Sequence, residues 1–207
     1  MSAGAARLAV LVSGAGRTLG NLLEACGDGR VRATVALVVA SGQVGAAEVA
    51  RRRGVEVVVE PGELSAERWN GLMSLRGIDL AVLAGYLRRV PVPAGWAGRM
   101  VNIHPALLPS FGGRGMYGRR VHEAVLAAGC KVTGCTVHFV SEEYDRGPII
   151  AQSAVPVRDD DTPETLGARV FAEECRVYPR AVSDLVEGRL RIEGNRVVTT
   201  GGWTRTP

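Results

Sequence analysis

Two polar residues close an apolar run in Val101-Asn102-Ile103-His104-Pro105. A strand places residues i and i+2 on one face. A predicted strand over residues 100–104 therefore aims Asn102 and His104 the same way. Pro105 ends regular pairing and hands the chain to a loop. The pair would set a hydrogen-bond donor beside a general acid/base, both facing a crevice. Taken alone, it also fits a polar strand end with a surface histidine.

Three other stretches have residue types suited to chemistry. Glu142-Glu143-Tyr144-Asp145-Arg146-Gly147-Pro148 is an acidic loop, and Asp145 stands out because Gly147-Pro148 bends the chain just after it. A carboxylate beside an imidazole raises its pKa and orients it. Ser13-Gly14-Ala15-Gly16-Arg17-Thr18 joins the first predicted strand to the first helix. Its small residues allow backbone N–H groups to close on an anion. A dinucleotide is disfavoured, because Leu19 stands where the last glycine of that motif belongs and the second strand ends in Ala40-Ser41-Gly42 without an acid. A Walker A motif is also missing. A single phosphate monoester suits the turn, with Arg17 adding a charge-assisted contact. Leu83-Ala84-Gly85-Tyr86-Leu87-Arg88 ends the fourth strand. Gly85 permits close backbone approach to a ligand, and Leu87 and Val90 would line an apolar pocket.

The elements that must position these residues follow from periodicity. Apolar runs at residues 7–13, 33–40, 55–60, 78–84 and 100–104 read as strands. Between them, residues 17–26, 44–53 and 65–76 read as helices, with Ser65 an N-cap. The alternation predicts an α/β fold, three layers with a mostly parallel twisted sheet and helices on both faces. The second half changes character. Residues 107–117 form a Pro- and Gly-rich loop expected to be mobile, and 118–128 a helix. Strands follow at 132–140 and 149–157, then a long helix opening at Thr162-Pro163-Glu164, with Leu166, Val170, Val177, Ala181 and Leu185 as its buried stripe. Residues 189–192 and 195–198 suggest a hairpin, and the tail beyond Thr199 reads as loose. One domain is expected over 1–207, with a phosphate-binding half (7–104), a catalytic half (105–192) and a tail (193–207).

Composition narrows the class. The 207 residues are 46% hydrophobic and 22% charged, as in globular domains. The net charge of +4 comes from scattered arginines, so a small anionic substrate is expected rather than nucleic acid. Arg51-Arg52-Arg53 suits a helix C-terminus. Asp159-Asp160-Asp161 reads as a turn, not a ligand set. Without a signal-peptide pattern or membrane-length apolar run, a cytoplasmic location is expected. Cys26, Cys130, Cys135 and Cys175 lack close spacing and are expected to be buried free thiols, and no metal is expected.

The ordered motifs carry a family resemblance. Asn102-Ile103-His104-Pro105-Ala106-Leu107-Leu108-Pro109 is similar to the active-site motif of folate-dependent formyltransferases. The turn at residues 13–16, the stretches 83–88 and 132–149, and ARVFAEECRVYP at 168–179 extend the resemblance across residues 7–192, toward the branch that formylates glycinamide ribonucleotide. The resemblance implies a Rossmann-like N-terminal half. It also implies transfer of a formyl group from 10-formyltetrahydrofolate to that amine, in purine synthesis, without metal or covalent enzyme intermediate. It assigns Asn102 to the oxyanion, His104 to proton transfer, and Asp145 to tuning His104 and ordering a water. Gly16, Arg17 and Thr18 would hold the phosphate, Gly85 would lie near the substrate, and Glu174 would contact the ribose. Leu87, Arg88, Arg89, Val90, Asn102, Val140, Ser141, Glu142, Glu143 and Tyr144 would hold the folate. The partners implied are small molecules, with the chain a monomer or homodimer.

Several positions depart from the family pattern. Arg17-Thr18 replaces a common Ser-Asn pair, and Phe171 replaces a polar residue near Glu174. Arg89 stands where an apolar residue is usual. A family arginine before the fourth strand has no clear counterpart, Arg68 being nearest in place. The loop at 110–120, a lid in the family, lacks a frequent histidine. An amino sugar nucleotide as acceptor, or a non-catalytic folate- or nucleotide-binding protein, are the alternatives.

Overall fold

A computed structural model describes residues 4–200. The N-terminal half alternates β1 (Ala6–Val12), α1 (Arg17–Gly27), β2 (Ala33–Ala40), α2 (Gly45–Arg52), β3 (Glu56–Val59), α3 (Ala66–Leu75), β4 (Leu80–Leu83) and β5 (Met100–His104). The C-terminal half adds α4 (Arg119–Ala127), β6 (Val132–Phe139), β7 (Ile149–Pro156), α5 (Pro163–Val186), β8 (Leu190–Glu193) and β9 (Arg196–Thr199). All share one sheet in the order β3-β2-β1-β4-β5-β6-β7-β9-β8. The first five strands in that order are parallel, β6 runs antiparallel to both β5 and β7, β7 pairs parallel with β9, and β8 closes the sheet antiparallel to β9.

Strand alternation divides the core between the two faces. Leu8, Val10 and Val12 of β1 pack with α1, α2 and α5, whereas Ala9 and Leu11 pack with Trp69 and Met73 of α3. Burying both faces is why these strands read as unbroken apolar runs. The helix ends follow local chemistry. The Ser65 side chain accepts from Arg68 N–H, and Thr162 and Thr165 form a reciprocal capping box with Pro163 in the first turn. Asp161 stabilises the same start: its carboxylate pairs with Arg169 (2.7 Å), which holds its pKa well below the ordinary value. The aspartate run is thus a turn with a partner on α5.

Three expectations need correction. Only Cys135 is fully buried; Cys26, Cys130 and Cys175 are half-buried, because they sit at helix and turn edges of the core. Leu185 is half-buried, and Tyr178 and Val182 complete the α5 stripe instead. The loop after Pro105 is anchored in its first half rather than free. Thr136 Oγ1 donates to the Ala106 carbonyl (2.7 Å) and accepts from Leu108 N–H (3.0 Å), and Gln152 Nε2 donates to the Leu108 carbonyl (2.9 Å). The predicted loose tail lies outside the described residues apart from Thr200, whose N–H donates to the Arg189 carbonyl (2.8 Å). No helix among the described residues is long and apolar enough to cross a membrane.

Gly147 controls the return of the chain from the acidic loop into β7. A Cβ there would lie 1.8 Å from the Phe139 carbonyl oxygen, while Phe139 N–H donates to the Pro148 carbonyl at 2.9 Å. Two backbones meet where no side chain fits. Gly147→Ala is expected to destabilise the fold by about 1–3 kcal/mol, lowering Tm by roughly 3–10 °C. An unchanged Tm in a thermal melt would show that this crossing relaxes freely.

Candidate active site

The carboxyl ends of β1, β4 and β5 open into one cavity of about 760 Å³. In an open parallel sheet this edge is where ligands bind. Residues 13–18, 83–90, 102–105, 113–118 and 140–145 line it, with Gly167, Phe171 and Glu174 of α5. Every residue singled out from sequence as a site candidate lies on this lining, whereas Arg68 does not. Arg68 donates to Glu60 instead (2.8 Å).

The strands bring the polar trio together. Asn102 and His104 project from one face of β5, and Asp145 reaches them from the loop between β6 and β7. Asp145 Oδ2 lies 3.5 Å from His104 Nδ1, and Asn102 Nδ2 donates to Asp145 Oδ1 at 3.4 Å. Asp145 adopts φ 56, a left-handed conformation that aspartate and asparagine tolerate better than most residues. Its Oδ2 also accepts from Gly113 N–H at 2.8 Å, so the loop after β5 docks on the same carboxylate. Gly112 lies in that contact, where a Cβ would meet Leu108 Cδ2 at 2.5 Å and Asp145 Cβ at 3.2 Å.

Hydrogen-bond partners settle how His104 sits. Its Nε2 is 2.8 Å from the Phe111 carbonyl, which only accepts, so Nε2 carries a hydrogen. In the neutral ring the lone pair is then on Nδ1, beside Asp145. The His104 side chain is 4% exposed and that of Asp145 11%. Burial pushes the His104 pKa below its ordinary value, against the opposing pull of Asp145 and the Phe111 carbonyl. The carboxylate raises it, as expected from sequence, but burial outweighs the carboxylate, so the imidazole is a neutral base near pH 7. For Asp145, burial pushes the pKa up, but His138, His104 and Gly113 N–H together bring it below the ordinary value.

His138 was not singled out from sequence. It pairs with Asn102 in the antiparallel β5–β6 register. Its Nδ1 donates to the Phe139 carbonyl (2.8 Å), leaving Nε2 to accept from Asn102 Nδ2 (3.2 Å). The histidine thereby orients the amide. The available signal was a polar, titratable residue at an alternating position of an apolar strand. His122 of α4 was also missed; it lines the cavity, is 7% exposed, and its Nδ1 has no hydrogen-bond partner among the described residues. Thr136 and Gln152 work behind the trio through the anchored loop.

The phosphate-sized turn joins the same cavity. Gly16 has φ 89, and a Cβ there would lie 2.7 Å from Ala46 Cα, so the turn packs against the start of α2. Ser13 bridges the turn to the β4 loop. Its N–H donates to the Gly85 carbonyl (3.2 Å), and its Oγ accepts from Leu87 N–H (3.1 Å). Helix α5 is fixed beneath by Tyr178, whose hydroxyl donates to the Leu83 carbonyl (2.7 Å) and also contacts that of Val101 (3.2 Å). Glu174 and Phe171 lie on the same helix face, one and two turns earlier. Burial raises the Glu174 pKa to about 7, and the charge of Arg17 opposes that rise. Arg89 and Glu142 pair across the mouth at 3.0 Å, both largely exposed. Among the described residues no group of three or more His, Cys, Asp or Glu has a metal-holding arrangement.

Comparison with known proteins places this site in context. The family of formyl transferases matches residues 6–182. The chloroplastic phosphoribosylglycinamide formyltransferase of Arabidopsis thaliana is 45% identical over 195 residues, covering 89% of this chain and 67% of the relative. The phosphoribosylglycinamide formyltransferase of Haemophilus influenzae is 34% identical, with 94% of each chain covered. The crystal structure of glycinamide ribonucleotide transformylase 1 from Symbiobacterium toebii superimposes with a TM-score of 0.86 at 40% identity, covering 96% of this chain and 95% of that one.

Proposed function

The chain belongs to the formyl transferase family, and from that premise we propose that it transfers a formyl group from 10-formyltetrahydrofolate to the amine of glycinamide ribonucleotide. The products are formylglycinamide ribonucleotide and tetrahydrofolate, a step of purine synthesis. The observation that carries this reading is the meeting of Asn102, His104 and Asp145 in the cavity that also holds the turn at residues 13–18.

The residues present fit a reduced folate. The strip at 87–90 and the loop at 140–144 face the cavity, offering backbone donors and acceptors beside the buried Val90. The bound folate supplies an activated formyl group. Asn102 then holds N–H donors at the formyl oxygen. Its contacts to His138 and Asp145 are long, 3.2 and 3.4 Å, so one hydrogen can turn to a developing oxyanion. His104 takes a proton from the amine. With Nε2–H committed to Phe111, the proton arrives on Nδ1 and forms an ion pair with Asp145. His104 returns it to the departing folate nitrogen. Asp145 keeps this charge separation tolerable in a site sheltered from water. Gly16, Arg17 and Thr18 hold the substrate phosphate. Glu174, near its pKa at neutrality, both donates to and accepts from ribose hydroxyls.

The test is turnover. Incubated with 10-formyltetrahydrofolate and glycinamide ribonucleotide, the protein is expected to release tetrahydrofolate. Turnover with an amino sugar nucleotide instead would replace the acceptor and keep the chemistry. Saturable folate binding with no turnover on either amine would make this a binding protein.

A further inference from the structure

Arg17 and Phe171 come from distant parts of the chain and meet inside the cavity. The Arg17 guanidinium carbon sits 4.2 Å from the centroid of the Phe171 ring. Arg17 opens α1, where the backbone N–H groups and helix dipole already favour an anion. Among the described residues it makes no ion pair, although its charge acts on Glu174 through space. Glu174 is the acid on the same face of α5, three residues beyond Phe171. An arginine free to swing would neutralise itself on such a carboxylate. Stacking on a ring face avoids that and leaves the guanidinium edge, with its N–H donors, unspent. The turn beneath packs closely on the start of α2, since a Cβ on Gly16 would lie 2.7 Å from Ala46 Cα. The adjustable part of the anion site is therefore the Arg17 side chain, and Phe171 is what holds it.

We propose that Phe171 is a positioning residue for phosphate recognition: its ring holds the Arg17 guanidinium at the turn, and the pair sets the preference for a phosphorylated over an unphosphorylated amine. The proposal rests on reading the cavity as a formyltransferase site with the turn as its phosphate end. Neither residue touches the reacting atoms, so the effect belongs in KM and in discrimination between substrates, not in kcat.

The experiment compares wild type, Arg17→Ser, Phe171→Leu, Phe171→Tyr and the Arg17→Ser/Phe171→Leu double variant. Kinetics are measured with glycinamide ribonucleotide and with its dephosphorylated nucleoside, and binding of ribose 5-phosphate and ribose by calorimetry. Arg17→Ser is expected to raise KM for the ribonucleotide about 30-fold. Phe171→Leu is expected to raise it about 5- to 10-fold with kcat nearly unchanged, and to affect the nucleoside far less. Phe171→Tyr, which keeps an aromatic face, is expected to restore the wild-type KM. Once Arg17 is gone, Phe171→Leu should add almost nothing. Equal losses on both substrates, or full additivity in the double variant, would reduce Phe171 to packing and overturn the proposal. If wild type formylates neither amine, the functional reading fails separately. Ribose 5-phosphate binding then decides: weakening by both single variants sustains the pair, and binding indifferent to Phe171 rejects it.

Discussion

His104→Ala is expected to lower kcat by at least about 10²-fold while the protein still folds. The imidazole has its pKa held below the ordinary value by burial and its Nδ1 lone pair beside the Asp145 carboxylate. Without it, the amine proton loses the buried base that Asp145 would stabilise once protonated. The fold should survive because β5 is held on both sides by β4 and β6, and the truncation removes one ring at the strand's end. Circular dichroism and a thermal melt check folding, and single-turnover kinetics check chemistry. A variant that turns over within a few-fold of wild type would remove His104 from the proton-transfer role. Because the imidazole pKa lies below its ordinary value of about 6.5, the acid limb of wild-type kcat/KM is expected below that pH.

Asp145→Asn separates charge from shape and is also expected to cost about 10²-fold in kcat. Asparagine is isosteric and tolerates the left-handed backbone at this position. Its carbonyl oxygen can still accept from Gly113 N–H, so loop docking is retained. The anion that pairs with protonated His104 is lost. The sign of the pH effect follows: the carboxylate raises the His104 pKa against burial, so its removal lowers that pKa further. The acid limb of the kcat/KM profile should shift to lower pH even as the plateau falls. A limb that stays in place would mean that it belongs to another group. A limb that moves up would mean that Asp145 is not anionic in the free enzyme, contrary to the depressed pKa it has beside His138, His104 and Gly113.

Much of this site was legible because its causes are local. Strand alternation at residues 101–104 placed Asn102 and His104 on one face, and Gly147-Pro148 marked Asp145 as the carboxylate before a sharp return. The collision a Gly147 side chain would have with Phe139 shows why that return needs glycine. His138 was not legible. Its role depends on Asn102 lying opposite it across β5 and β6, and antiparallel register is set by a long connection and by packing. The loop after Pro105 read as mobile from its glycines and prolines, yet Thr136 and Gln152, remote in sequence, tie down its start.

What the sequence by itself determined was periodicity, turn chemistry and an ordered set of motifs, and these carried the fold class and the family. Periodicity and turn chemistry arise from interactions within a few residues, so spacing records them directly, whereas the family follows from the resemblance that the ordered motifs carry. What the tertiary structure alone decided was which distant groups touch and how deeply they are buried. Burial reversed the expected direction of the His104 pKa, since the loss of solvation outweighs a neighbouring carboxylate. Helix docking brought Arg17 of α1 against Phe171 of α5, so two isolated departures from a family pattern became one contact. No local pattern encodes such a meeting, because it depends on how α1 and α5 pack on the same face of the sheet.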